Sequence, residues 1–409
     1  MSNSLHLFEA VGVELEYMIV KKDSLNVNPI ADLILKEIAG EITADVEFGK
    51  LEWSNELVLH VIELKTGKPA SELANLDSEF MESVSRINQI LEKYDSMLMP
   101  SGAHPFMNPF TDTKLWPHDN NEVYSAYNRI FNCKGHGWSN LQSTHINLPF
   151  GNDEEFGKLH AAIRLVLPLI PAFAASTPML DEKLTGFIDS RLEVYRKNQS
   201  KIPSIAGKII PEQVFSIKDY NEQIFQKIYK DIEPYDDDNI LKYEWLNSRG
   251  AIARFIRNSI EIRIVDIQEA PIADLAIVEF INELIKLLIK EELVSFNEQK
   301  QFSTESLSEI LLSTIKSGEN AVISDTDYLS AFGISDKKEI TANELLVHIN
   351  ENIMIANRSY GKTFREILKE GNLSSRIIKS LNNDLSKENV VKVYKKLADS
   401  LSRNELFIP

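Results

Sequence analysis

From Gly12 to Tyr17 the chain reads Gly-Val-Glu-Leu-Glu-Tyr, and this alternation leaves few structural options. Strand side chains alternate faces with period two, so Glu14 and Glu16 share a face about 7 Å apart. Val11, Val13, Leu15, Tyr17 and Ile19 point the other way and can fill a core. Two bare carboxylates side by side on a half-buried strand call for a cation to neutralise them. The pair is therefore half of a candidate metal site, and the fold must bring the other half to it.

Three further strand-like segments carry ligands for a hard cation. Residues 53–66 (WSNELVLHVIELKT) hold Glu56, His60 and Glu63; residues 142–147 (QSTHIN) hold His145 and Asn147; residues 258–266 (NSIEIRIVD) hold Glu261 and Arg263. In each, polar groups are backed by apolar neighbours, which predicts a sheet with one core face and one polar, ligand-filled face. Five glutamates and one histidine suit Mg²⁺ or Mn²⁺, whereas zinc lacks a His or Cys pair at ligand spacing. Glu56 and Glu63 are seven apart, so either a bulge separates them or Glu56 belongs to the turn before its strand. His60 stays unassigned: a lone histidine in an apolar run reads as a satisfied, partly buried residue.

Strands are predicted over residues 8–20, 57–65 and 143–148, with a strand pair or one long bent strand over 252–267. Pro69 opens a predicted helix over 71–94, and further helices are predicted over 155–175, 187–198 and 273–293. Residues 296–409 read as helical, with the Ser- and Glu-rich stretch 296–308 as a linker, so the chain divides into a region 1–295 and a helical region 296–409. Strands and helices do not alternate regularly and Gly-rich strand-to-helix turns are missing. The fold class expected is α+β with an antiparallel sheet.

Composition narrows the function classes. With 61 acidic against 44 basic residues, the net charge of −17 disfavours generic binding to nucleic acid or anionic membranes, so the expected partners are small molecules. The single cysteine, Cys133, rules out an intrachain disulfide and fits a reducing cytoplasm. The start MSNSLHLFEAVG lacks the pattern of a secretory signal. The most apolar stretch, 159–175, carries Arg164 and two prolines and is expected to be too short and too broken to span a bilayer. Gly361-Lys362-Thr363 ends like a phosphate-binding loop, but Ala356 stands where that motif opens with glycine and no strand is predicted before it.

Taken in order, the motifs GVELEY, NELVLHVIELKT, SGAHPF, STHINLPF, DSRLEVY and RNSIEIRIVD resemble the bacterial glutamate–cysteine ligase type 2 and carboxylate–amine ligase family, of the glutamine-synthetase-like enzymes. The likeness spans roughly residues 8–290. It implies an antiparallel sheet shaped as a funnel, ATP entering one end and an amino acid the other. It also implies that Glu16, Glu56 and Glu63 hold one Mg²⁺ or Mn²⁺ ion and that Glu14, His145 and Glu261 hold a second beside the ATP phosphates. Arg263 would face the transferring phosphoryl group. The spacing of Glu56 and Glu63 is the family's own.

Joining a carboxylate to an amine is uphill, so the carboxylate must first be activated, as an acyl phosphate formed from ATP. Catalysis of that transfer is mostly positioning and charge neutralisation, so arginines and metal ligands matter more than a nucleophile. Arg254, Arg257 and Lys65 are the candidates for ATP phosphates. Arg191 and Tyr195, one helical turn apart, are assigned to a substrate carboxylate. His104 in SGAHPF reads as a structural turn residue. The reading is an ATP-dependent ligase, most economically glutamate to cysteine. The alternatives are a catalytically weak nucleotide- and metal-binding protein on the same fold and a two-metal hydrolase.

Overall fold

The computed structural model describes residues 5–119, 121–353 and 358–409. At its centre is an eight-stranded antiparallel sheet. Its strands are β1 (Gly12–Lys21), β2 (Asp45–Phe48), β3 (Leu51–Asn55), β4 (Val61–Thr66), β5 (Ser96–Met99) and β6 (Ser143–Pro149), then β9 (Ala251–Arg254) and β10 (Ser259–Asp266). A short hairpin of β7 (Met179–Leu180) and β8 (Lys183–Leu184) lies outside it. The spatial order is β2-β3-β4-β1-β6-β10-β9, and β5 pairs with the far end of β1. The α+β antiparallel architecture read from the sequence is the one observed.

The alternation in β1 does what its pattern demands. Val13, Leu15 and Tyr17 are fully buried and join Val11 and Ile19 in a single large core. That core continues through Trp53 and Leu64 of neighbouring strands into the helices Leu76–Leu91, Asp153–Val166 and Pro271–Ile289. It also takes in Leu307, Leu345, Phe364 and Leu401 from the C-terminal helices. With one face of the sheet sealed by apolar packing, the even-numbered side chains of β1 are left to the other face.

Several elements depart from the sequence reading for identifiable reasons. The strand expected from residue 57 begins at Val61, because 56–60 form the connection from β3; Glu56 therefore sits in that connection, not on a bulge. The helix expected from residue 71 starts at Leu76, since Ala70 pairs its backbone with Val11, giving and accepting hydrogen bonds of 2.8 Å. Residues 252–267 are a strand pair, turned at Phe255–Arg257 with Asn258 in the left-handed region. The stretch expected as a linker is largely helical: Ser295 and Ser303 cap the helices Phe296–Gln299 and Thr304–Ser317 through their side chains. Nor do the prolines in 159–175 break the helix. A 3-10 turn at Leu167–Leu169 carries it into Ile170–Ala174, and 94% of its most apolar window is buried inside the protein. Gly361 and Lys362 begin the helix Gly361–Glu370; Ala356 lies outside the described residues, as does the start of the N-terminal segment, 1–4.

Candidate metal centre

The strand register gathers the acids across four adjacent strands. Glu16 stands opposite Glu63, and Glu14 stands between Lys65 on one side and His145 on the other. Glu63 in turn faces Ser54, and Glu261 faces Asn147. Glu56 reaches the group from the β3–β4 connection, where the Leu57 N–H donates to its carboxylate at 3.3 Å. Two triads result: Glu16, Glu56 and Glu63 form one, Glu14, Glu63 and His145 the other. Within each, the ligand atoms lie within 4.8 Å of one another. Glu63 belongs to both.

Each side chain is held by its neighbours. His145 Nδ1 is 2.9 Å from Glu14 Oε2, and its Nε2 is 2.9 Å from Ser143 Oγ. Ser143 donates from its backbone N–H (2.7 Å) and its hydroxyl (3.0 Å) to Glu16 Oε2. Asn147 donates to the other oxygen of Glu14 at 3.0 Å, and Ser54 donates to Glu63 Oε1 at 2.8 Å. Lys65 Nζ lies 3.0 Å from Glu52 and 3.3 Å from Glu63.

The electrostatics divide the acids. Burial pushes the Glu14 carboxyl up, but the His145 hydrogen bond and charge, with Lys65 and Arg257, outweigh it and hold it at about 2. Burial pushes Glu63 up to about 7, reinforced by Glu14 and Glu16 and opposed by Lys65. Burial, then Glu16 and Glu63, drives Glu56 well above its ordinary value. His145 is lowered by burial yet raised overall to about 9 by the Glu14 hydrogen bond and the Glu16 and Glu14 charges. The triad of Glu16, Glu56 and Glu63 thus has more negative charge than its own surroundings neutralise. A divalent cation fits that excess with oxygen donors alone.

Glu261 departs from the expected grouping. Its register partner is Asn147, two residues along β6 from His145, and its carboxylate is taken by Arg254 (2.8 Å) and Arg263 (3.3 Å). Glu63 occupies the place in the second triad where Glu261 was expected. Arg263 shares the Glu261 face by the strand period, and a register shift just after Ile262 lets Arg263 and Ile264 together oppose His145.

Cavities flank the row. One, of about 210 Å³, is lined by Glu16, Glu56, Arg191, Tyr195 and Arg263 together with aromatic and amide side chains. The other, of about 560 Å³, is lined by Glu14, Lys65, Asn147, Arg257 and Gly12. Arg191 is buried, its Nε paired with Asp266, whose other oxygen accepts from Ser176 N–H (2.7 Å) and Thr177 Oγ1 (2.9 Å). Tyr195 donates to the Ser248 carbonyl at 3.0 Å. Arg254 is turned to Glu261 and lines neither cavity.

Both His60 and His104 are built into the framework. His60 Nε2 lies 2.8 Å from the Ser139 carbonyl and His104 Nε2 2.7 Å from that of Leu25, and burial pushes both down to about 4. Sequence reasoning missed Ser54 and Ser143, which orient Glu63 and Glu16, although their period-two spacing from Glu52 on β3 and from His145 on β6 was a usable signal. It also missed Trp138, Trp245 and Gln199, for which spacing offers no signal.

The chain is similar to known sequences and to a solved fold. An uncharacterized protein of Archaeoglobus fulgidus is 32% identical over 398 residues, 97% of this chain and all of that one. A putative glutamate–cysteine ligase 2 of Cronobacter sakazakii is 24% identical over 189 residues, 45% of this chain and 47% of its own length. Among solved structures, a glutamate–cysteine ligase of Francisella tularensis in complex with AMP shares the fold, with a TM-score of 0.65 at 12% identity, covering 97% of this chain and 90% of that one. The family model for glutamate-cysteine ligase family 2 matches residues 10–396, a span that contains both triads and the cavity residues named above, and the chain belongs to that family.

Proposed function

We propose that the protein is an ATP- and Mg²⁺-dependent (or Mn²⁺-dependent) carboxylate–amine ligase. It activates an amino-acid carboxylate as an acyl phosphate and joins it to an amine, with glutamate and cysteine, giving γ-glutamylcysteine, as the first pair to test. One observation carries this reading: Glu63 is shared by two acid triads that stand between two separate cavities.

Glu16, Glu56 and Glu63 would hold one ion; Glu14, His145 and Glu63, with Glu261 released from its arginines, would hold a second. When bound, the cations supply neutralisation of the phosphate oxygens. Lys65 and Arg257 at the larger cavity suit a polyphosphate, and the AMP seen in the Francisella ligase supports a nucleotide on this fold. Arg191 and Tyr195 at the smaller cavity suit an amino acid. The substrate carboxylate oxygen attacks the γ-phosphorus and ADP leaves; the amine then attacks the acyl carbon, phosphate leaves, and the nitrogen gives up its proton. Arg263, on the smaller cavity and beside the acid row, stabilises charge on the phosphoryl group in transit. Residues 1–295 carry this chemistry and 296–409 buttress it, in a cytoplasmic enzyme whose partners are small molecules.

The test is phosphate release by the purified protein with Mg-ATP and a panel of paired amino acids and amines. Release that requires both members of a pair is expected. Release without an amine identifies a hydrolase, and no stimulation by any pair leaves only a binding protein.

A further inference from the structure

The smaller cavity is lined by two residues that each keep one buried polar atom without a hydrogen-bond partner among the described residues. They are Arg191 Nη2, a donor, and Gln199 Oε1, an acceptor. Arg191 is 1% exposed and Gln199 2% exposed. Buried groups left this way cost free energy, and native structures leave few of them. Each side chain is also tethered at one nitrogen. Asp266 holds Arg191 Nε, and Gln199 Nε2 donates to Ser248 Oγ at 2.9 Å. The helix Ser190–Tyr195 and the turn after it bring both to one cavity of about 210 Å³.

A tethered cationic donor and a tethered neutral acceptor in one small cavity match the two ends of a zwitterion. The guanidinium takes a carboxylate, and the amide oxygen takes an ammonium. We infer that Arg191 and Gln199 together read the head group of an α-amino acid, Gln199 being the specificity residue that requires the α-ammonium. The inference deepens the proposed function and rests on it only for the identity of the amino acid. Both head-group charges are then held at Arg191 and Gln199, which leaves a side-chain carboxylate as the one to be activated.

Trp138 and Trp245 line the same cavity and provide a binding readout that needs no turnover. With Mg²⁺ present, tryptophan fluorescence is titrated with L-glutamate, with glutarate (no ammonium) and with 4-aminobutanoate (no α-carboxylate). L-glutamate is expected to bind on the order of tenfold or more tightly than either analogue. Gln199→Met should erase the preference over glutarate while keeping that over 4-aminobutanoate, and Gln199→Glu, which retains an acceptor, should restore it. The inference is overturned if glutarate binds the unaltered protein as well as L-glutamate does, if Gln199→Met keeps the preference, or if neither L-glutamate nor L-aspartate binds. If the binding pattern holds but no amine elicits phosphate release, only the ligase reading fails.

Discussion

Glu63 is the side chain on which both triads depend, and its ionisation sets a pH dependence with a definite sign. Its carboxyl sits at about 7 in the folded, metal-free protein, against an ordinary value of 4.5. Between those two values the folded state keeps a proton that the unfolded chain has lost, so this group's contribution to stability falls as pH rises across that window. A cation must displace the proton, and so binds more tightly as pH rises through about 7. Mn²⁺ is therefore expected to raise the thermal unfolding midpoint more at pH 8 than at pH 6, and Glu63→Gln to shrink the difference to what Glu56 and His145 contribute. Equal shifts at the two pH values in the unaltered protein would contradict the assignment. Glu16 offers a second check at this scale. Glu16→Ala deletes one ligand and leaves the Ser143 N–H unpaired, a loss of about 1 kcal/mol in stability. Metal-dependent phosphate release should vanish while the circular dichroism spectrum is unchanged; retained turnover removes Glu16 from the centre.

At the scale of elements, what could be read in advance followed the local period. The alternation in β1 and β6 placed Glu14, Glu16, His145 and Asn147 on one face because a strand leaves no other choice. What could not be read depended on pairing between distant segments. The register shift after Ile262 arises only when β10 meets β6, and the late start of the helix after Pro69 arises only because Ala70 pairs with Val11. The Ser- and Glu-rich composition of 296–308 serves helix starts instead of a linker: Ser303 within it and Ser295 just before it act as helix caps. The β9–β10 turn, which carries Arg257 to the larger cavity, hinges on Asn258 at a φ of 50°. Asparagine and glycine tolerate that region, whereas a β-branched side chain there costs about 1–2 kcal/mol. Asn258→Gly is expected to leave the urea midpoint nearly unchanged, and Asn258→Val to lower stability by that amount. An Asn258→Val protein as stable as the parent would mean that the turn has a second accessible conformation.

Across the whole molecule, the candidate site is assembled from segments that sequence spacing does not connect: Tyr124 to Trp138, Arg191 to Gln199, and Trp245 to Ser248 converge on one cavity. One buried ion pair is among the contacts that tie the C-terminal helices to the same framework. Arg376, on the helix Leu373–Leu381, pairs with Glu269, three residues beyond the Asp266 that holds Arg191, and both side chains are fully buried. Arg376 also donates to the Phe407 carbonyl at 2.7 Å and to that of Gly371 at 3.0 Å, while the Phe407 N–H donates to Glu269 at 3.1 Å. The C-terminal tail, that helix and the segment after β10 are thus closed around one buried charge pair. Removing only one partner leaves the other buried and unpaired, which costs about 3–5 kcal/mol, whereas removing both charges costs less. Arg376→Met should therefore lower the free energy of urea unfolding by that amount, and Arg376→Met with Glu269→Gln should recover part of the loss. Because Asp266 lies so close along the chain, the single variant is further expected to weaken amino-acid binding more than nucleotide binding, as read by tryptophan fluorescence. A single variant no less stable than the double would show that the tail leaves the pair open to water, and the link between the C-terminal helices and Arg191 would be lost with it.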